Sequence, residues 1–133
     1  MTLGDIKNQI MFQTNNDEED IEDFLPHLID YINDGYDRIV KVWTKSHVPQ
    51  ADYPALADDA DIPNVPEWMH RYLADWATWL VYRNGNPQKQ NRGMAYKYAF
   101  EELLAKISDE GGADGLNEDG TSKRYRNFIN IPR

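Results

Sequence analysis

The sequence predicts an all-α domain of four helices that ends in an extended C-terminal arm. Three observations carry this. Apolar residues recur at steps of three and four in long runs. Helix-start signals stand before those runs, at Thr2, at Asn64-Val65-Pro66-Glu67 and at Asn86-Pro87. Segments without any period separate them, rich in Pro and Asp at 47–65 and in Gly, Asp, Glu and Asn at 109–121.

The first helix is expected over residues 3–13. Thr2 and Asp5 have the spacing of a capping box, and Leu3, Ile6 and Ile10 follow at helical spacing. Gly4 weakens this helix slightly, and Thr14-Asn15-Asn16 ends it. The acidic run Asp17-Glu18-Glu19-Asp20 then favours a helix N-terminus electrostatically. The second and longest amphipathic run is expected over 24–46, with Phe24, Leu28, Ile32, Tyr36, Ile39 and Trp43 as its core face. Pro26 cannot sit inside a straight helix, so it marks either the first turn or a kink. Gly35 within this run marks either a close helix approach or a simple loss of stability.

Residues 47–65, with Pro49, Pro54 and Pro63, read as a long loop. The third helix is expected over 66–84. Met69, Tyr72, Leu73, Trp76, Trp79 and Leu80 form its apolar face, and Gly85 suits a left-handed cap. The fourth is expected over 87–108, through Tyr96, Ala99, Phe100, Leu103, Leu104 and Ile107. Tyr96 and Tyr98 cannot both point inward. The short link predicts that helices three and four form an antiparallel hairpin. Together these elements make a helical domain over 1–108, followed by a flexible linker and arm over 109–133.

Charge divides the chain. It carries 23 acidic and 14 basic side chains, a net charge of -9. Residues 1–65 hold 14 acids against 4 bases, a formal -10, whereas residues 122–133 hold four bases and no acid. This arm contains Lys123, Arg124, Arg126 and Arg133 with Tyr125, Phe128, Ile129 and Ile131. Solubilising tails rarely carry four large apolar residues. Such a segment is expected to be mobile in an isolated subunit and to order against a partner, its alternation from Asn127 onward suiting a strand added to a sheet edge. The acidic balance argues against a general nucleic-acid binder, because phosphate contacts need Lys and Arg.

Little in the sequence points to catalysis. There are no cysteines, which excludes thiolate nucleophiles and disulfides. His27, His47 and His70 stand alone, without the spacing that puts two ligands on one helix face. Asp58, Asp59 and Asp61 lack the Gly and the distant Glu of a calcium loop, and Asp114 to Gly120 fails in the same way. No phosphate-cradling loop or nucleophile elbow is present. The expectation is a non-enzyme with no metal or cofactor. No run of roughly 20 apolar residues suggests a membrane helix, and no basic-then-apolar leader suggests secretion.

The order of elements resembles the head–tail connector proteins of tailed bacteriophages, also called adaptor or head-completion proteins. The resemblance covers about residues 1–108. It rests on the short helix opening at Leu3-Gly4-Asp5-Ile6 and on Leu28-Ile29-Asp30-Tyr31-Ile32-Asn33-Asp34-Gly35-Tyr36 in the long second helix. It continues from Pro66-Glu67-Trp68 through Leu73-Ala74-Asp75-Trp76-Ala77-Thr78-Trp79-Leu80-Val81-Tyr82-Arg83 and returns through Tyr96-Lys97-Tyr98-Ala99-Phe100-Glu101-Glu102-Leu103-Leu104. The resemblance implies a ring of about twelve subunits in the virion neck, formed by head-to-tail contacts that close by rotation. It implies the portal protein and a tail or stopper protein as partners, DNA only as passing cargo, and assembly in a host bacterial cytoplasm.

Two other readings compete. The acidic first half suits a small helical regulator or inhibitor that mimics DNA charge as a monomer or dimer. A small helical hydrolase has little in the sequence to recommend it. Mass in solution and neighbouring genes separate the first two readings.

Overall fold

The computed structural model describes residues 1–14, 24–44 and 52–109. Among these it is all-helical, with four α-helices and no strand: α1 (Leu3–Gln13), α2 (Leu28–Trp43), α3 (His70–Tyr82) and α4 (Pro87–Asp109). Single 3-10 turns, Leu25–His27 and Glu67–Met69, lead into α2 and α3.

The start of α1 is fixed by the capping box that the spacing of Thr2 and Asp5 predicts. The Asp5 amide donates to Thr2 Oγ1 at 3.1 Å, and the Thr2 amide donates to Asp5 Oδ2 at 3.0 Å. Two of the orphan N–H groups of the first turn are thereby satisfied. Leu3, Ile6 and Ile10 are buried on one face.

The most central helix is α3, which packs against α1, α2 and α4. Nine of its residues are buried, which explains why its apolar pattern wraps more than one face. Gly35 of α2 lets Trp76 come close: a Cβ there would lie 3.0 Å from Trp76 Cδ1. Gly93 does the same for α4, where a Cβ would lie 2.8 Å from both Trp79 Cε3 and Tyr82 Cβ. Trp76 and Phe100 complete the centre, with ring centroids 4.8 Å apart.

The described part of the long loop is tied down along its length. Asn33 Nδ2 donates to the Leu56 carbonyl, and the Leu56 amide donates back to Asn33 Oδ1, both at 2.8 Å. The Asn64 amide donates to the Tyr36 hydroxyl at 2.9 Å. The amides of Leu3 and Gly4 donate to the carbonyls of Asp61 and Asp59. Leu56 and Val65 are buried beneath this strap.

The structure corrects three local expectations. The run predicted as a helix over 24–46 is a 3-10 turn followed by an α-helix ending at Trp43; Pro26, which has no N–H to donate, sits in that turn. Residues 45 and 46 lie outside the described residues. The helix predicted over 66–84 likewise enters through a 3-10 turn, and its α-helical part spans His70–Tyr82. Gly85 does not take the left-handed conformation that suits a helix cap. The amide of Arg83 closes α3 on the Trp79 carbonyl, and that of Gly85 returns to Tyr82 at 3.0 Å.

Candidate functional site

The arm residues Lys123, Arg124, Tyr125, Arg126, Phe128, Ile129, Ile131 and Arg133 lie outside the described residues, as do His47 and the segment Asp114 to Gly120. Of the candidate core positions, Leu28, Ile32, Tyr36, Ile39, Leu73, Trp76, Leu80 and Leu103 are buried. Phe24, Trp43, Tyr72 and Trp79 are only half-buried, packed against that core. Ala99 is half-buried too. Tyr72 and Ala99 are open because they line a surface cleft. Phe100, Ile107 and Met69, on the apolar runs of the third and fourth helices, are fully buried.

That cleft has a volume of about 230 Å³ and lies between the start of α3 and the second half of α4. Trp68, Arg71, Tyr72 and Asp75 form one wall, and Ala99, Glu102, Leu103 and Lys106 form the other. The helical repeat explains both sets: steps of three and four stack residues along one edge of a helix. Trp68 and Tyr72 meet edge to face, with centroids 6.3 Å apart at 87°. Arg71 lies 5.0 Å above the Tyr72 ring, and Lys106 Nζ lies 5.3 Å from the Trp68 ring. The Trp68 indole N–H is buried and has no hydrogen-bond partner among the described residues. A donor left in that state costs about 1–3 kcal/mol.

Asp75 is one of the two carboxylates lining the cleft. Burial pushes its carboxyl above the usual carboxylate range, against the lowering effect of Gln13 and Arg71. Gln13 Nε2 donates to Asp75 Oδ1 at 2.9 Å, and Thr78 Oγ1 donates to Gln13 Oε1 at 2.7 Å. Thr78 is fully buried. This polar chain ties the last turn of α1 to α3, and neither Gln13 nor Thr78 stood out in the sequence.

A second polar junction lies between α2 and α3. Trp76 Nε1 donates to Asp34 Oδ2 at 2.7 Å, and Arg38 Nε donates to the same oxygen at 2.9 Å. Burial raises the Asp34 carboxyl, but these two hydrogen bonds outweigh it and hold the group below its ordinary range. Arg38 also lies 4.8 Å above the Trp76 ring. Among the described residues four large apolar side chains stand out in solvent: Phe12 at 75 %, Ile62 at 62 %, Tyr98 at 53 % and Leu25 at 48 % exposure. Tyr98, not Tyr96, is the outward member of its pair.

The groups that might have held a metal have other occupations. Asp61 Oδ2 accepts from the amides of Ala57 and Asp58, which holds its carboxyl below the ordinary range. Asp59 Oδ1 accepts from Lys7 Nζ at 2.8 Å. His70 is buried and bonds the Val65 carbonyl through Nε2 at 2.8 Å; a carbonyl only accepts, so Nε2 carries the proton. His27 packs near the Tyr31 ring, centroids 6.2 Å apart. Among the described residues no three or more His, Cys, Asp or Glu side chains gather as a metal would need. None of their helices is long and apolar enough to cross a membrane. No known family, curated protein or solved structure matches the chain.

Proposed function

We propose that this chain is a virion structural protein, a head–tail connector that assembles as a ring on a phage portal and joins capsid to tail around a channel for DNA. One observation carries the reading. An acidic first half and a basic, apolar final dozen residues give one chain two unlike, complementary surfaces, which a closed head-to-tail assembly requires. The helical architecture supports it, with α3 and α4 acting as an antiparallel hairpin around which α1 and α2 pack. The C-terminal arm reaches a neighbouring subunit or the portal. The portal and a tail or stopper protein are the partners, DNA passes through as cargo, and the neck of the virion is the place of work. The protein does no catalysis in this role and needs no cofactor.

Light scattering tests the reading. The full chain is compared with a chain truncated after Thr121, each alone and each mixed with an assembled phage portal. The full chain should oligomerise and bind, and the truncated one should keep its helices but lose assembly. A full chain that stays monomeric or dimeric and ignores the portal would favour the acidic regulator instead.

A further inference from the structure

We propose that the cleft between Trp68 and Lys106 is the receptor for the arm of a second copy, filled by the apolar residues of segment 122–133. The inference rests on the connector reading for the arm and adds its address.

Four observations support it. The first is fit. At about 230 Å³ the cleft is smaller than the sites of drug-sized ligands but suits one or two large side chains. The second is chemistry. The cleft offers the rings of Trp68 and Tyr72, with Leu103 beside them, and the arm offers Tyr125, Phe128, Ile129 and Ile131. Aromatic anchors set in such pockets dominate binding energy at protein interfaces. Glu102, exposed, gives one of the arm's cations a counter-charge, while Arg71 and Lys106 on the same lining leave the cleft without net negative charge, so the apolar side chains carry the contact.

The third is the unsatisfied indole N–H of Trp68. A buried donor without a partner is rare in a folded protein. Trp68 is half-buried and lines the cleft, where a docked backbone brings carbonyl acceptors beside this ring. The fourth is reach. From Asp109, the end of α4, thirteen residues lead to Ser122, a tether of up to roughly 45 Å when extended. The cleft borders the same half of α4, within roughly 15 Å along the helix of the point where the tether starts. A tether of this length spans to its own cleft and to that of an adjoining copy, and mixing heavy and light chains distinguishes the two. Among the described residues there is no strand, hence no sheet edge for the arm to extend. Insertion of side chains into a helical cleft is the mode of recognition that this part of the protein offers.

Photo-crosslinking in the full chain tests the proposal. A benzoylphenylalanine is placed at position 128, and equal amounts of isotopically heavy and light chains are mixed, assembled and irradiated. The expected product joins the arm to peptides holding residues 68–75 or 99–106, with one heavy and one light partner. Ala99→Trp, which fills the cleft, should abolish that product. Glu102→Arg changes only an exposed side chain and should reduce it severalfold, so the proposal does not depend on how well the filled variant folds. Crosslinks that map elsewhere, join only residues of one chain or fail to form overturn the proposal. So does a yield unchanged in both variants. Light scattering on the same samples separates the two levels. Rings that form while position 128 crosslinks elsewhere sink the cleft and leave the connector standing, whereas a monomer sinks both.

Discussion

The indole N–H of Trp76 donates to the carboxylate of Asp34 at 2.7 Å, and this single bond joins the centre of α3 to the outer face of α2. Trp76 is 8 % exposed, packs against Phe100 and leaves no room for a side chain at position 35. Trp76→Ala should therefore destabilise the fold by roughly 3–5 kcal/mol, the usual cost of truncating a buried large aromatic. Trp76→Phe keeps most of the ring volume and loses the donor. Because Asp34 is partly solvated and retains Arg38, that change should cost only about 1 kcal/mol. Urea unfolding of both variants checks the pair, and a loss under about 1 kcal/mol for the alanine variant would show that Trp76 does not organise the core.

Two of the helical glycines, Gly93 and Gly4, should respond oppositely to alanine. A helix interior gains roughly 0.5–1 kcal/mol from Gly→Ala when space allows. At position 93 it does not allow, since the new methyl would lie 2.8 Å from Tyr82 Cβ, close to the backbone of α3. Gly93→Ala should cost about 1–3 kcal/mol net. At Gly4 the nearest atoms lie 3.4 Å away, an ordinary contact, and Gly4→Ala should be neutral or slightly stabilising. Thermal melts of the two variants decide it, and equal shifts would mean that the α3–α4 spacing is slack.

Asn33 holds the strap of residues 52–65 by a reciprocal pair of hydrogen bonds to Leu56. Asn33→Ala leaves both Leu56 groups without that partner and should cost roughly 1–3 kcal/mol. The readout specific to this contact is hydrogen exchange. The Leu56 amide should lose protection ahead of the amides of α3, and an unchanged exchange rate would show that the strap is held by its other contacts.

Burial pushes the His70 imidazole below its ordinary range. The folded state therefore disfavours the proton more than the unfolded chain does. Stability is full above the unfolded value near pH 6.5 and falls as the pH drops from there toward the folded value. His70→Gln, whose amide nitrogen can reach the Val65 carbonyl in place of Nε2, should flatten that slope below about pH 6.5. Denaturation midpoints across this range are the measurement, and parallel curves for the two proteins would assign the slope to other groups.

Much of the fold was legible because local signals agreed with one another. The capping box at Thr2 and Asp5, the one-sided face of α2 and the start of α4 at Pro87 all lie where their patterns put them. Helix entries were less legible: the 3-10 turns at Leu25–His27 and Glu67–Met69 carry the same apolar spacing as the helices they precede. Gly85 takes no left-handed conformation, and the chain leaves α3 by a tight turn in which its amide bonds the Tyr82 carbonyl three residues back. The candidate site was barely legible. Tyr72 read as a member of a buried face and Trp68 stood outside that face, yet both rings line the open space between α3 and α4. The chain Asp75–Gln13–Thr78 joins residues more than sixty positions apart, which no local pattern could reveal.

The central claim is that the chain assembles into a ring through its arm. Native mass spectrometry of the full chain and of the chain ending at Thr121, in volatile buffer at matched concentrations, addresses it most directly. The account predicts a closed oligomer of about twelve copies for the full chain, head-to-tail contacts closing only by rotation, and monomers of intact helical content for the truncated one. A full chain that remains monomeric at every concentration, or a truncated chain that forms the same ring, would contradict it.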